Sequence, residues 1–238
     1  MYNPQDSINK TYAYIQDLRA KGKTYNGYPV YNVTKSDLES LMLVANKYGF
    51  PMEWLINLIG FESGKTYSPS ITNSIGATGL IQFLPSTAKG LGTTTDALRK
   101  MTFKQQLVYV DKYIYSILKN KLKSDGKVPD NFTQGDLFMT IFYPVAVGKP
   151  NFAFPSSVQN ANAGISKPKD YVEKALKVAV FPLTLVPYTL EDVKKKFGDI
   201  TKFTKKNWIP ITVTILGLGL LGYYLYKTKK LGVIGKLV

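Results

Sequence analysis

Cysteine and histidine are both missing from this chain of 238 residues. Without cysteine there is no disulfide, no thiolate nucleophile and no Cys-based zinc site. Without histidine there is no Ser-His-Asp triad, no histidine metal cage and no imidazole acid or base. Proton transfer near neutral pH then falls to a carboxyl, a lysine or a tyrosine. Carboxylates are scarce too: 16 against 31 lysines and arginines, and none between Glu62 and Asp96.

The opening stretch, MYNPQDSINKTYAY, has no apolar run behind a basic start, so no cleaved secretory leader is expected. Nor is there a recognisable nucleic-acid reading helix or aromatic-basic platform, so no specific nucleic-acid partner is expected. No convincing series of strands, internal repeat or low-complexity tract occurs.

What is present is a core and a charge. Hydrophobic residues make up 45% of the chain, with 17 Tyr and 12 Phe, enough for a packed domain. The net charge of +15 favours polyanionic partners such as anionic lipid or cell-wall polymer. About half of that charge falls in residues 181–238.

The chain reads as mainly α. Residues 1–35 form an arm with turn residues (Asn26-Gly27) and no sustained periodicity. Ser36-Asp37-Leu38-Glu39 fits a capping box opening a first helix, with Leu38, Leu41, Met42 and Ala45 at helical spacing. Gly49 and Pro51 separate it from a second. Further helices are expected over Thr102–Asn120, Thr133–Tyr143 and Lys169–Val180, the first with Thr102 and Gln105 as a cap pair. A Pro- and Lys-containing connector follows over 181–206.

Residues 209–226, IPITVTILGLGLLGYYLY, carry no charge. As a helix they would rise about 27 Å, close to the hydrocarbon thickness of a bilayer. Trp208 stands at one end and Tyr223, Tyr224 and Tyr226 at the other, with lysines outside both. The pattern predicts a single membrane span over 207–227 and a basic tail over 228–238; a buried core helix is the alternative. Basic flanks on both sides leave its orientation open. Gly217, Gly219 and Gly222 would let such spans pack closely without forming a strict GxxxG motif, so an oligomer stays open.

In the second helix Leu55, Leu58, Ile59 and Glu62 share one face. That places a carboxyl on the core-facing stripe near the helix end, where desolvation raises its pKa. Such a group is either a general acid or a structural carboxylate paired with a lysine. Gly64 can end the helix. The small-residue loop Ser74-Ile75-Gly76-Ala77-Thr78-Gly79-Leu80-Ile81-Gln82-Phe83 follows. Its glycines let backbone approach a ligand, and Gln82 offers both donor and acceptor.

Glu62-Ser63, then Ser74 leading Gly76-Ala77-x-Gly79-Leu80-x-Gln82-Phe83, then Pro85-Ser-Thr-Ala88, resembles the soluble lytic transglycosylase family of the lysozyme-like superfamily. The resemblance covers residues 36–180. A third family element, Ala-Tyr-Asn-x-Gly, is matched only in part by Phe142-Tyr143-Pro144-Val145-Ala146-Val147-Gly148, where Pro144 replaces the Asn and the glycine comes late. That departure is more like phage-borne members.

The resemblance implies a lysozyme-like helical domain that cleaves the β-1,4 bond between N-acetylmuramic acid and N-acetylglucosamine without water. Glu62 would protonate the leaving oxygen and then act as base on the muramyl C6 hydroxyl, giving a 1,6-anhydro product. Ser63, Ser74, Gly79, Leu80, Gln82, Phe83 and Tyr143 would bind substrate or orient Glu62. No metal or other cofactor is required. The partners implied are peptidoglycan glycan strands and, through the span, a lipid bilayer. A second carboxylate, as hydrolysis commonly needs, could come from Asp111, Asp130 or Asp136, which leaves a muramidase open. A non-catalytic wall-binding protein is the other alternative. A wall enzyme with a C-terminal span suits a phage particle, in its membrane or the host envelope during entry, among other virion proteins; a bacterial inner membrane is the alternative site.

Overall fold

The computed structural model describes residues 4–177, 179 and 180. The expected connector (181–206), membrane span (207–227) and basic tail (228–238) lie outside the described residues. Among the described residues no helix is long and apolar enough to cross a membrane.

The chain is mainly helical. In order it forms α1 (Pro4–Ala20), a short hairpin of β1 (Thr24–Tyr25) and β2 (Tyr28–Pro29), α2 (Lys35–Tyr48), α3 (Met52–Glu62), α4 (Pro85–Gly90), α5 (Thr95–Arg99), α6 (Phe103–Leu118), α7 (Gln134–Phe142), a 3-10 turn (Pro144–Ala146), α8 (Ser156–Ala161) and α9 (Pro168–Leu176).

Residues 1–35 are not an arm apart from the domain. They hold the 17-residue helix α1, which packs on α2 and α3 within the same compact unit. Its inner stripe is Ser7, Ile8, Thr11 and Ile15, all buried. Two of those four are polar, which hid the stripe from a hydrophobic pattern. Ser7 donates its hydroxyl to the buried carboxylate of Glu53 on α3.

The capping signals are specific about where helices start. α2 opens at Thr34, two residues before the expected position. The Thr34 hydroxyl accepts from the Asp37 amide at 3.1 Å, and the Asp37 carboxylate accepts from the Thr34 amide at 2.9 Å. Thr34 wins because it has the extended backbone an N-cap needs (φ −93°, ψ 164°). Thr102 with Gln105 opens α6, as its sequence predicts, and Thr133 with Asp136 opens α7 in the same way. α9 stops at Leu176, short of the expected Val180.

α3 is the central helix, touching α1, α2, α7 and α9. Nine successive residues, Met52 to Gly60, are buried, so the helix is enclosed on all sides and not on one stripe, with Glu53 and Asn57 as its buried polar members. Gly60 is small because the Tyr67 ring lies against it: a Cβ there would come within 3.1 Å of the ring. Only the last turn, Phe61 and Glu62, reaches partial exposure.

Candidate active site

The site is built where α3 ends. The Ser63 amide bonds to Ile59 O, and Gly64 follows in the left-handed conformation (φ 57°), closing the helix. Glu62 is therefore held on the final turn, with the chain turning away directly after it. Ser63 itself is fully buried. Its hydroxyl donates to Ile59 O at 2.6 Å and accepts from the Tyr67 amide at 3.0 Å, so it fastens the turn and does not face a ligand.

The loop from Thr66 to Phe83 folds back over this end, with Thr78 bridging both Thr72 and Phe83. Gly79 (φ 83°) sits so close to Gln106 of α6 that a Cβ would fall within 2.7 Å of its carboxamide carbon. Gln106 is buried and satisfied on all sides. It accepts from the Leu80 amide at 2.7 Å and donates to Pro69 O and Leu98 O at 3.0 Å each. One buried side chain thus ties the loop to α6 and to the end of α5. Leu80 and Phe83 are buried in the core and are not in the lining of the cleft described next. Ser74 is exposed at the loop tip, where neighbouring Asn73 holds the turn by accepting from the Ile75 and Ala77 amides at 3.0 Å.

A cleft of about 240 Å³ lies between these elements. It is lined by Phe61 and Glu62 of α3, by Ile71, Thr72, Asn73 and Gln82 of the loop, and by Tyr25 and Asn26 of the hairpin. Of the residues expected at the site, Glu62 and Gln82 meet there. Gln82 has a left-handed backbone (φ 52°), and its Nε2 donates to Gly79 O at 3.1 Å.

The electrostatics of Glu62 match its position. Burial pushes its carboxyl up from 4.5 to about 7, against the lowering effect of a hydrogen bond from the Tyr171 hydroxyl to Oε1. Tyr171, on α9, is itself pushed up by burial first and by Glu62's charge second. Tyr113 of α6 is raised in the same way, so two tyrosines on different helices flank this carboxyl.

The tyrosine that reaches Glu62 is Tyr171, not Tyr143. Tyr143 ends α7 with its ring against Phe152 and Phe154, at 5.6 and 5.2 Å between centroids, and is not in the cleft lining. The residue before it, Phe142, is the one that stacks on Tyr171, at 4.1 Å. Tyr171 carries little signal in the sequence beyond sharing a helix face with Ala175, the two being buried together with Pro168 in a helix that also carries four charged residues.

The three aspartates expected as candidates for a second carboxylate are engaged elsewhere. Asp111 accepts from Lys47 at 2.8 Å and from the Tyr48 hydroxyl at 2.6 Å. Asp130 pairs with Lys123 at 2.8 Å on the surface. Asp136 caps α7 and also accepts from the Gly148 amide at 2.6 Å. Among the described residues Glu62 is the one carboxylate lining the cleft, and no cluster of acidic side chains there could hold a metal ion.

The chain matches no protein-family model, no curated protein and no solved structure.

Proposed function

We propose that the protein is a peptidoglycan lytic transglycosylase with a lysozyme-like helical domain. Glu62 protonates the glycosidic oxygen between N-acetylmuramic acid and N-acetylglucosamine. The resulting carboxylate then takes the proton of the muramyl C6 hydroxyl as that oxygen closes onto C1, leaving a 1,6-anhydro end. The proton lost in the first step is regained in the second, so one carboxyl suffices.

The observation that carries this reading is the state of Glu62: a desolvated carboxyl, raised to about 7, in the lining of a polar cleft with no second carboxylate there among the described residues. A general acid must hold its proton at working pH, and a group near 7 does so while remaining able to give it up. The Gln82 carboxamide at the same cleft suits the hydroxyl and acetamido groups of an amino sugar. The Glu62-Ser63 and Gly76-to-Gln82 motif adds the family resemblance.

The span over 207–227 anchors the enzyme in a lipid bilayer, and the basic surface favours the anionic wall. A virion membrane, or the host envelope during phage entry, is the setting that suits such an anchored wall enzyme, which would work there beside other virion proteins.

The test is a digest of purified peptidoglycan by the full chain and by Glu62→Gln, with soluble muropeptides identified by mass spectrometry. Anhydro-muropeptides from the wild type and none from the variant support the reading. Equal wall binding with no products from either overturns it in favour of a binding protein.

A further inference from the structure

The cleft has a wall that the family resemblance does not cover. Tyr25 and Asn26 line it from the hairpin of the N-terminal segment. Asn26 (φ 48°) and Gly27 (φ 80°) both take left-handed backbone, the type I′ geometry that closes a two-residue hairpin with Tyr25 paired to Tyr28. Past the hairpin, the Tyr31 amide bonds to Thr66 O at 2.7 Å, pinning the segment to the turn that follows Glu62.

The Tyr25 ring rests on Gly64. A Cβ at that glycine would come within 2.6 Å of the ring carbon Cγ, so the ring sits where only a glycine leaves room. Despite this seat the residue remains 49% exposed, one of the few large apolar side chains left open to solvent. A half-exposed aromatic fixed in place in the lining of a polar cleft is preorganised for a ligand with an apolar face.

The rest of the lining narrows the ligand. Asn26, Thr72, Asn73 and Gln82 offer neutral donors and acceptors. Among the described residues no lysine or arginine is in the lining. That composition fits poorly to a phosphate or a nucleotide. It fits a pyranose, with a C–H face for the ring and hydroxyl or acetamido groups at the edge.

We propose that Tyr25 is a stacking platform for one N-acetylhexosamine ring of the glycan strand, so that the N-terminal hairpin helps determine which glycan binds. The proposal rests on the glycan-cleaving reading of the cleft. Tyr25 is a binding residue here and takes no part in proton transfer.

The test uses the full chain in detergent and a β-1,4-linked tetramer of N-acetylglucosamine, an uncharged glycan with the right linkage. Calorimetry is expected to show Tyr25→Ala weakening the tetramer about tenfold, with Tyr25→Phe within about twofold of wild type. A second measurement needs no variant: transferred NOEs in the wild type should connect a tyrosine ring to sugar C–H protons and vanish in Tyr25→Leu. Undiminished binding by Tyr25→Ala, or NOEs that survive Tyr25→Leu, overturns the platform. Absence of tetramer binding by the wild type also overturns it. A peptidoglycan digest by the same preparation separates the two claims: anhydro products leave the enzyme reading standing, and no products bring it down as well.

Discussion

Tyr171 donates its hydroxyl to Oε1 of Glu62 across a sequence separation of 109 residues, from the last described helix to the central one. This bond joins α9 to the end of α3, and it opposes the desolvation that raises the Glu62 carboxyl. The ring delivering it is wedged between Phe142, stacked at 4.1 Å, and Phe61, edge-on at 5.2 Å. The hydroxyl therefore has little freedom to leave.

Tyr171→Phe keeps that ring packing and removes only the donor. With the lowering contribution gone, the Glu62 pKa rises further. The alkaline limb of the pH–rate profile, which follows loss of the acid's proton, moves to higher pH. Tyr143→Phe leaves the limb where it is. Rates of wall solubilisation between pH 5 and 9 check this, and a limb that moves equally in both variants contradicts it.

Glu62 also makes stability depend on pH. Its folded-state pKa, about 7, exceeds its ordinary 4.5, so the native state holds the proton more tightly than the unfolded chain. The contribution is fully present below pH 4.5 and is lost as pH rises through 7. Glu62→Gln, which cannot ionise, is expected to gain on the wild type over that window, by at most about 3 kcal/mol above pH 7. Denaturant titrations at pH 5 and pH 8 measure the difference. A gap that widens toward low pH has the wrong sign for this account.

How far the sequence announces this architecture varies from element to element. The starts of α6 and α7 are legible because Thr102 with Gln105, and Thr133 at the head of its helix, use local hydrogen bonds that need no tertiary contact. α1 is illegible because its buried stripe includes Ser7 and Thr11, whose burial depends on α2 and α3 being beside it. At the site, Glu62 and Gln82 are found from motif and helical phase. Tyr171 and Tyr25 are not, since each gains its place from a partner far along the chain. Ser63, Leu80 and Phe83 belong to the motif for what they hold up, not for what they touch in the cleft.

Gln106 is the residue whose loss should damage the loop most without touching the cleft. Gln106→Leu leaves the Leu80 amide and the Pro69 carbonyl without a partner and removes one of the donors to the Leu98 carbonyl, which keeps the Met101 amide, at a cost of about 3 kcal/mol. The Gly79 loop loosens with it, and activity falls even where the protein remains folded. Thermal unfolding together with amide exchange at residues 76–83 tests this. Wild-type protection in that loop would count against the role given to Gln106.

Asp111, Asp130 and Asp136 are assigned to ion pairing and capping, so their amides should leave the products unchanged. Asp111→Asn and Asp130→Asn are expected to cost little. Asp136→Asn weakens the capping box that Thr133 opens and costs about 1 kcal/mol, still with anhydro products. If any one of them abolishes turnover in a folded protein, a second carboxylate takes part and the one-carboxyl chemistry is wrong.

The central claim is that Glu62 cleaves the glycan by intramolecular attack, without water. The most direct measurement is a peptidoglycan digest run in heavy-oxygen water, with the new muramyl ends weighed by mass spectrometry. The account predicts anhydro ends that carry no heavy oxygen, made by the wild type and absent with Glu62→Gln. Reducing ends bearing heavy oxygen would contradict it and make the protein a hydrolase.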